Sequence, residues 1–572
     1  MYKLSPWDLS EIKPKQLEEA LKVLEKKTQQ LEKKRSLLKE SISVKDFMAL
    51  LQEMEQLRAE SSKISSYSGL LFSENSSNQQ ALADMSKVEN VLTKINNRLL
   101  FFSLWFKDVS EPKAKELINA SGKYHYYLEQ MRKYKPYTLK ENEEKIINIK
   151  DMTGASALNT VYTILTSQLK FTVGGKELTQ EEVMVKVRDP SAQVRKEAYT
   201  QLLSKYAEFK DVIGEVYKNL VNDWREEQLG LRGYKTPLQV RNFANDVPDK
   251  AVEVLLKVCE KNQSLFHRFF EVKRKKLGLK KLTRFDLYAP LEAKKAEYSY
   301  DEAVKLVLDS YGKFSFRFRQ EAEHILESKH VHSTVQKNKQ SGAFCSSVTA
   351  KLPPYVLLSY TGALRDVSTL AHELGHGVHH RLASEQTEFT FHSCLPLAET
   401  ASILGEMILS EELKKKDPAR AKELLFFKLD DLYASIIRQA GFVAFEMKAH
   451  TMMEEGKTME DISTTYLANL RKQLGPIEVD DLYAQEWLYI SHIFHTPFYC
   501  YAYAFGNLLT LALYDMYTEQ GEKMVPKIIE MFSYGGSESP IEITTRIGVD
   551  ITSEKFWQKG FDAIERMIEE VE

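Results

Sequence analysis

Apolar residues recur at helical spacing along most of this chain. Over residues 16–60, Leu17, Leu21, Leu24, Leu31 and Leu38 follow steps of four and three, with Thr28 and Arg35 at the two missed positions. The pattern predicts a long amphipathic helix packed in an antiparallel hairpin; the stripe is too interrupted and too short for a coiled-coil dimer. Residues 85–135 keep the helical period, and Phe101, Phe102, Trp105 and Phe106 predict a core cluster. Around 137–190 the pattern is broken by Pro136, Gly154, Gly174-Gly175 and Pro190, and residues 169–173 predict a short strand. Helices return over 191–333, with a turn at residues 230–233. Residues 341–362 change period again: Ala343-Phe344-Cys345 and Tyr355 to Tyr360, separated by Pro353-Pro354, predict two short strands of a small sheet. Helices then run from about 366 to the end. The expected fold class is mainly α, in two lobes, because single cores stop growing at a few hundred residues. The boundary is drawn near residue 190, giving an N-terminal helical domain (1–190) and a catalytic domain (191–572).

Composition narrows the function. A formal net charge of −2 gives a polyanion no electrostatic reason to bind the whole chain. The basic run at 273–276, Lys280-Lys281 and Arg284 is read as a solvated helix face rather than a nucleic-acid patch. Cys259, Cys345, Cys394 and Cys500 are widely separated, which excludes a cysteine-based zinc site and fits a reducing compartment. Residues 1–10 lack the pattern of a signal peptide, and no apolar run reaches the roughly 18 residues of a membrane helix. The expectation is a cytoplasmic protein without nucleic-acid or membrane partners, monomeric or a small homo-oligomer. Residues 174–176 do not form a phosphate loop, and no serine-nucleophile elbow is present.

The chemistry concentrates in His372-Glu373-Leu374-Gly375-His376. On a helix, His372 and His376 stand one turn apart on one face and can reach one metal ion. Glu373 then projects beside the metal, where a base acting on water belongs. Asp366 and Ser368 are the expected N-caps of that helix. Gly375 and Gly377 cost roughly 1 kcal/mol each in a helix interior, so close approach of another backbone or of the metal is expected there. Catalytic zinc takes a third protein ligand. Glu385 and Glu388 lie in an expected loop. Glu399 and Glu406, seven residues apart in an apolar, small-residue stretch, share one helical face. One can ligate and the other can hold a ligand histidine, with Glu399 the preferred ligand under the His₂Glu rule. A third cluster, residues 492–506, supplies His492, His495, Tyr499, Tyr501 and Tyr503. Most of these rings are expected to pack, but at least one of His492, Tyr499 and Tyr503 is expected to face the site as an oxyanion donor.

Three segments together resemble the zinc oligopeptidases typified by thimet oligopeptidase and oligoendopeptidase F, and the oligoendopeptidase F branch most. They are Leu370 to His380, Pro396 to Ser402, and Pro497 to Gly506. Weaker echoes lie at residues 66–70, 124–135, 241–245, 285–290 and 535–537. The resemblance implies one Zn²⁺ per chain on His372, His376 and Glu399, with Glu373 as general base and later proton donor to the leaving amine. It implies Glu406 behind the ligands, and His492 and Tyr499 as transition-state donors, although the His/Tyr spacing differs between branches. It further implies a two-lobed helical zincin-type metallopeptidase with a small β-sheet beside a deep channel that admits short unfolded peptides. The alternatives weighed are a carboxypeptidase or dipeptidase on the same scaffold, and a non-catalytic metal- and peptide-binding protein.

Overall fold

The computed structural model of this chain describes residues 1–291, 298–340 and 342–572, and of residues 419 and 420 the backbone. Residues 292–297 and 341, which fall within stretches read as helical and as strand, lie outside the described residues.

The N-terminal stripe forms a helix at Leu17–Lys33 that buries Leu21, Leu24, Thr28 and Leu31. Thr28 takes a leucine position without loss because its hydroxyl donates to the Leu24 carbonyl at 2.8 Å. The single long helix expected over 16–60 is broken. A short 3₁₀ turn at Lys34–Leu37 ends the first segment, and Ser43 caps a second helix at Val44–Glu74 by accepting from the Asp46 amide. Lys27 pairs with Glu60 and Lys34 with Glu53, so the two helices run antiparallel. A third helix, Gln79–Asp108, closes this lobe by stacking Phe102 and Phe106 against Phe47.

A separate, larger core gathers residues from Tyr162 to Val571. Tyr162, Phe171 and Val183, on the N-terminal side of the boundary drawn at residue 190, pack into this larger core. The strand expected at 169–173 is β1 (Phe171–Val173), paired antiparallel with β2 (Lys176–Leu178). Gly174 and Gly175 both have positive φ, which a two-residue hairpin turn of this hand requires. The basic run is not a solvated face throughout. Lys273 is buried against Asp430 at 2.6 Å, and Arg284 is buried against Glu486 at 2.6 Å.

The second sheet has three strands rather than two. β3 (Val331–His332) pairs parallel with β5 (Tyr355–Leu357), and β4 (Phe344–Ser346) pairs antiparallel with β5, in the order β3-β5-β4. β4 is therefore an edge strand, and it lies against the helix Leu364–Leu382 that carries the His-Glu motif. No helix among the described residues is long and apolar enough to cross a membrane.

Candidate metal centre and active site

The motif helix begins at Leu364, with Ala363 rather than Asp366 or Ser368 at the N-cap position. Asp366 still satisfies the helix start, from inside the first turn. Its Oδ2 accepts from the Thr361 amide at 2.7 Å and the Ala363 amide at 3.3 Å. Ser368 turns inward and donates to Glu406 at 3.3 Å.

Gly375 explains how the third carboxylate arrives. A methyl group there would stand 2.6 Å from the Ala401 carbonyl oxygen and 2.6 Å from the Ser402 Cα. The motif helix and the helix Thr400–Lys416 thus touch backbone to backbone, which only glycine permits. Glu399 sits at the start of that second helix, with helical φ and ψ, so the seven-residue step to Glu406 keeps both carboxylates on one face as expected.

The result is a convergence of three side chains. His372 Nε2 lies 3.4 Å and His376 Nε2 lies 3.3 Å from the same oxygen, Oε2 of Glu399. Ligands about 2.0–2.1 Å from a tetrahedral zinc stand about 3.3 Å from one another, so this donor set fits that ion. Among the described residues it is the one His, Cys and carboxylate group able to hold a metal, and Glu373 is not in it.

Behind the cluster, Glu406 Oε1 lies 2.6 Å from His372 Nδ1, and Glu406 Oε2 accepts from Lys428 at 3.1 Å. Such a carboxylate fixes the ring so that Nε2 faces the metal position. Burial pushes Glu406 up, but Lys428 and the bond to His372 outweigh it and hold the carboxyl down at about 2. At Glu399 burial is likewise outweighed, by hydrogen bonds to His372 and His376, and its carboxyl lies well below the usual range. Burial disfavours a charge on His372, but the two carboxylates raise it well above the ordinary imidazole range. The cluster is built to hold positive charge.

Glu373 is buried, and burial raises its carboxyl against the pull of His372 and His376. It lines two cavities that meet at the motif. One, about 450 Å³, follows Phe344 and Cys345 towards His379 and His392; the other, about 880 Å³, extends past Ser368 and Thr369. Glu385 and Glu388 are engaged elsewhere, with Lys351 and with the Ala350 amide.

His492, Tyr499 and Tyr503 come together. Tyr503 Oη lies 3.2 Å from His492 Nε2, and the His492 and Tyr499 rings stack at 5.8 Å. Burial holds His492 below its usual range. The helix Tyr501–Gln520 abuts the metal cluster at Gly506, where a methyl would stand 3.1 Å from the Glu399 Cβ. None of the three rings lines either cavity that opens on Glu373.

Sequence reasoning missed the supports of this segment. Phe498 is buried with φ of +58°, a strained conformation for a bulky residue. Its amide donates to Glu446 Oε1 at 2.8 Å, and Arg241 Nε donates to the Pro497 carbonyl at 2.9 Å. Asn245 Nδ2 donates to Tyr501 Oη at 2.8 Å, which gives the echo at 241–245 a physical purpose. The echo at 535–537 also has one: the Gly536 amide donates to the Thr390 carbonyl at 2.7 Å. Lys428 was missed too, and nothing in its local sequence marks it.

Two family models match the chain: Peptidase family M3 over residues 185–563 and Oligopeptidase F over residues 105–171. An oligoendopeptidase F homolog of Borreliella burgdorferi is 25% identical over 581 residues, covering 99% of this chain and 97% of the relative. Oligopeptidase PepF of Bacillus subtilis is 24% identical over 502 residues, covering 85% of this chain and 74% of its own length. The crystal structure of oligoendopeptidase-F from Enterococcus faecium shares the fold, with a TM-score of 0.74 at 20% identity over 97% of this chain and 98% of that one. Mostly helical, with a small sheet beside its His-Glu motif, the chain belongs to peptidase family M3 and is a metalloendopeptidase.

Proposed function

We propose that this metalloendopeptidase is a zinc enzyme that hydrolyses internal bonds of short, unfolded peptides. His372, His376 and Glu399 hold the ion, and Glu406, backed by Lys428, orients His372. When bound, zinc would supply Lewis-acid chemistry to the scissile carbonyl and would make the attacking water more acidic. Glu373 accepts the proton of the attacking water and passes it to the leaving amine nitrogen. Although neither ring lines either cavity, Tyr499 lies near enough to feel the Glu399 charge and His492 stacks on it, and this pair supplies hydrogen-bond donors for the developing oxyanion. The edge of β4 offers backbone groups to an extended peptide, which holds it across the motif.

One observation carries this reading. Two imidazoles converge on one carboxylate oxygen at the spacing of a tetrahedral zinc, while the glutamate between them stands outside the ligand set and opens on both cavities. The decisive variant is Glu373→Gln. Turnover of a quenched peptide is expected to fall by roughly 10²–10⁴-fold, with one zinc per chain still bound by elemental analysis. Unchanged turnover would remove Glu373 from the mechanism. Chelation of the wild type should abolish cleavage, and zinc should restore it.

A further inference from the structure

The segments 124–135 and 241–245 meet at one residue, Asp246. The helix His125–Lys133 buries Leu128 in the core of the N-terminal lobe, and Met131 packs against the same core. Tyr126, Gln130 and Lys133 follow at steps of four and three, so they share one face of that helix. All three converge on Asp246. The Tyr126 hydroxyl donates to Oδ2, Gln130 Nε2 donates to Oδ2 at 3.0 Å, and Lys133 Nζ donates to Oδ1 at 3.3 Å.

Asp246 stands just past the helix Pro237–Ala244 with φ of +54°. Its amide donates to the Phe243 carbonyl at 3.1 Å, and the Val247 amide donates to the Asn242 carbonyl at 3.0 Å. That pair of bonds closes the end of a helix around one left-handed residue, a place that glycine fills without strain. The backbone alone therefore gives no reason for an aspartate. Its carboxylate gives one, since it takes donors from the opposite lobe.

The other side of the same short helix holds the catalytic segment. Arg241 and Asn245 are one turn apart, and they fasten the Pro497 carbonyl and the Tyr501 hydroxyl. Pro497 and Tyr501 stand two residues either side of Tyr499. Between them lies Phe498, whose left-handed backbone is strained and persists only where its surroundings hold it. The chain after the helix His125–Lys133 braces the same joint. Tyr134 meets Phe243 edge-on at 4.8 Å, Tyr137 stacks on Tyr234 at 3.8 Å, and Glu144 pairs with Arg232 at 2.9 Å. The segment 232–246 is thus gripped by the lobe on one side and grips the Tyr499 turn on the other.

We infer that Asp246 is a positioning residue: it ties the helix His125–Lys133 to the turn that carries Tyr499, so that the oxyanion donor is in place while that helix is docked. The inference rests on the donor role proposed above for Tyr499 and adds to it the residue that sets the donor's place.

The test uses Asp246→Gly in the full chain, which keeps the left-handed backbone and removes all three side-chain contacts. With a quenched peptide, kcat is expected to fall by roughly tenfold, as for a small misplacement of a catalytic group, while KM and one zinc per chain are retained. Asp246→Asn tolerates the same backbone and keeps an acceptor for Tyr126, so it should recover most of kcat. Tyr126→Phe removes the donor from the opposite lobe; it should lower kcat in the same direction and add little to Asp246→Gly, because the two act through one contact. The decisive measurement repeats Asp246→Gly in the Tyr499→Phe background, where no further fall is expected. An equal fall in that background, an unchanged kcat in Asp246→Gly, or loss of zinc from that variant overturns the positioning role and leaves the peptidase reading intact. Failure of the wild type to cut the peptide overturns both.

Discussion

Around His372, charged groups from three helical elements neutralise one another: His372 itself, Glu399, Glu406 and Lys428. Around Tyr499 the groups are aromatic rings whose backbone is held by Arg241 and Glu446. The two regions abut at Gly506, yet they are held by different physics. The metal cluster derives its geometry from helix period plus Coulomb attraction, and each charge has its partner within hydrogen-bond reach. The aromatic segment derives its geometry from a strained turn at Phe498, kept in place by one buried carboxyl. Loss of a partner in the first region should therefore appear as lost metal, and in the second as lost rate or stability with the metal retained.

The largest effect that would sharpen this contrast is at Tyr499. Tyr499→Phe removes one phenolic donor and should lower kcat by roughly 10²-fold, with zinc affinity and KM nearly unchanged. An unaltered kcat would shift the donor role to His492 or Tyr503. Next comes Glu406→Ala, which should weaken zinc binding by roughly 10–100-fold in a chelator competition, while the fully metal-loaded variant keeps most of its rate. Equal zinc affinity would mean that Glu406 is not needed to orient His372.

The smallest effect is a pH dependence of stability at Glu446. Burial raises this carboxyl to about 8, partly opposed by the Phe498 amide and Arg241. Its unfolded value is about 4.3. Between these values the folded chain retains a proton that the unfolded chain releases, so the folded state loses stability as pH rises from about 4.3 to about 8. Glu446→Gln is neutral throughout and keeps an acceptor for Phe498. Its melting temperature should gain on that of the wild type between pH 6 and pH 9, by a few degrees. A constant difference across that range would mean that Glu446 does not ionise there.

The same contrast separates what could be read from the chain from what could not. Gly375 was legible as a mark of backbone approach, whereas Gly377 meets the Ile325 side chain instead; two periodic features were legible as well, the four-residue step from His372 to His376 and the seven-residue step from Glu399 to Glu406. Each is a local helical relation, and a helix fixes those angles wherever it lies in the fold. The break at residues 34–43 was not legible, because a stripe of leucines does not register where the backbone stops being helical. The third strand at 331–332 was missed for the related reason that two residues carry no periodicity; their strand character comes from pairing with β5.

The sequence by itself determined a mostly helical peptidase scaffold and the spacing that lets His372, His376 and Glu399 converge, because helix geometry turns spacing into direction. Only the tertiary structure decided which oxygen the two histidines share, that Lys428 stands behind Glu406, that Glu446 and Arg241 hold the turn at Phe498, and that Asp246 meets the helix His125–Lys133. Those relations join residues tens to hundreds of positions apart. They are set by how helices pack, and no local pattern encodes them.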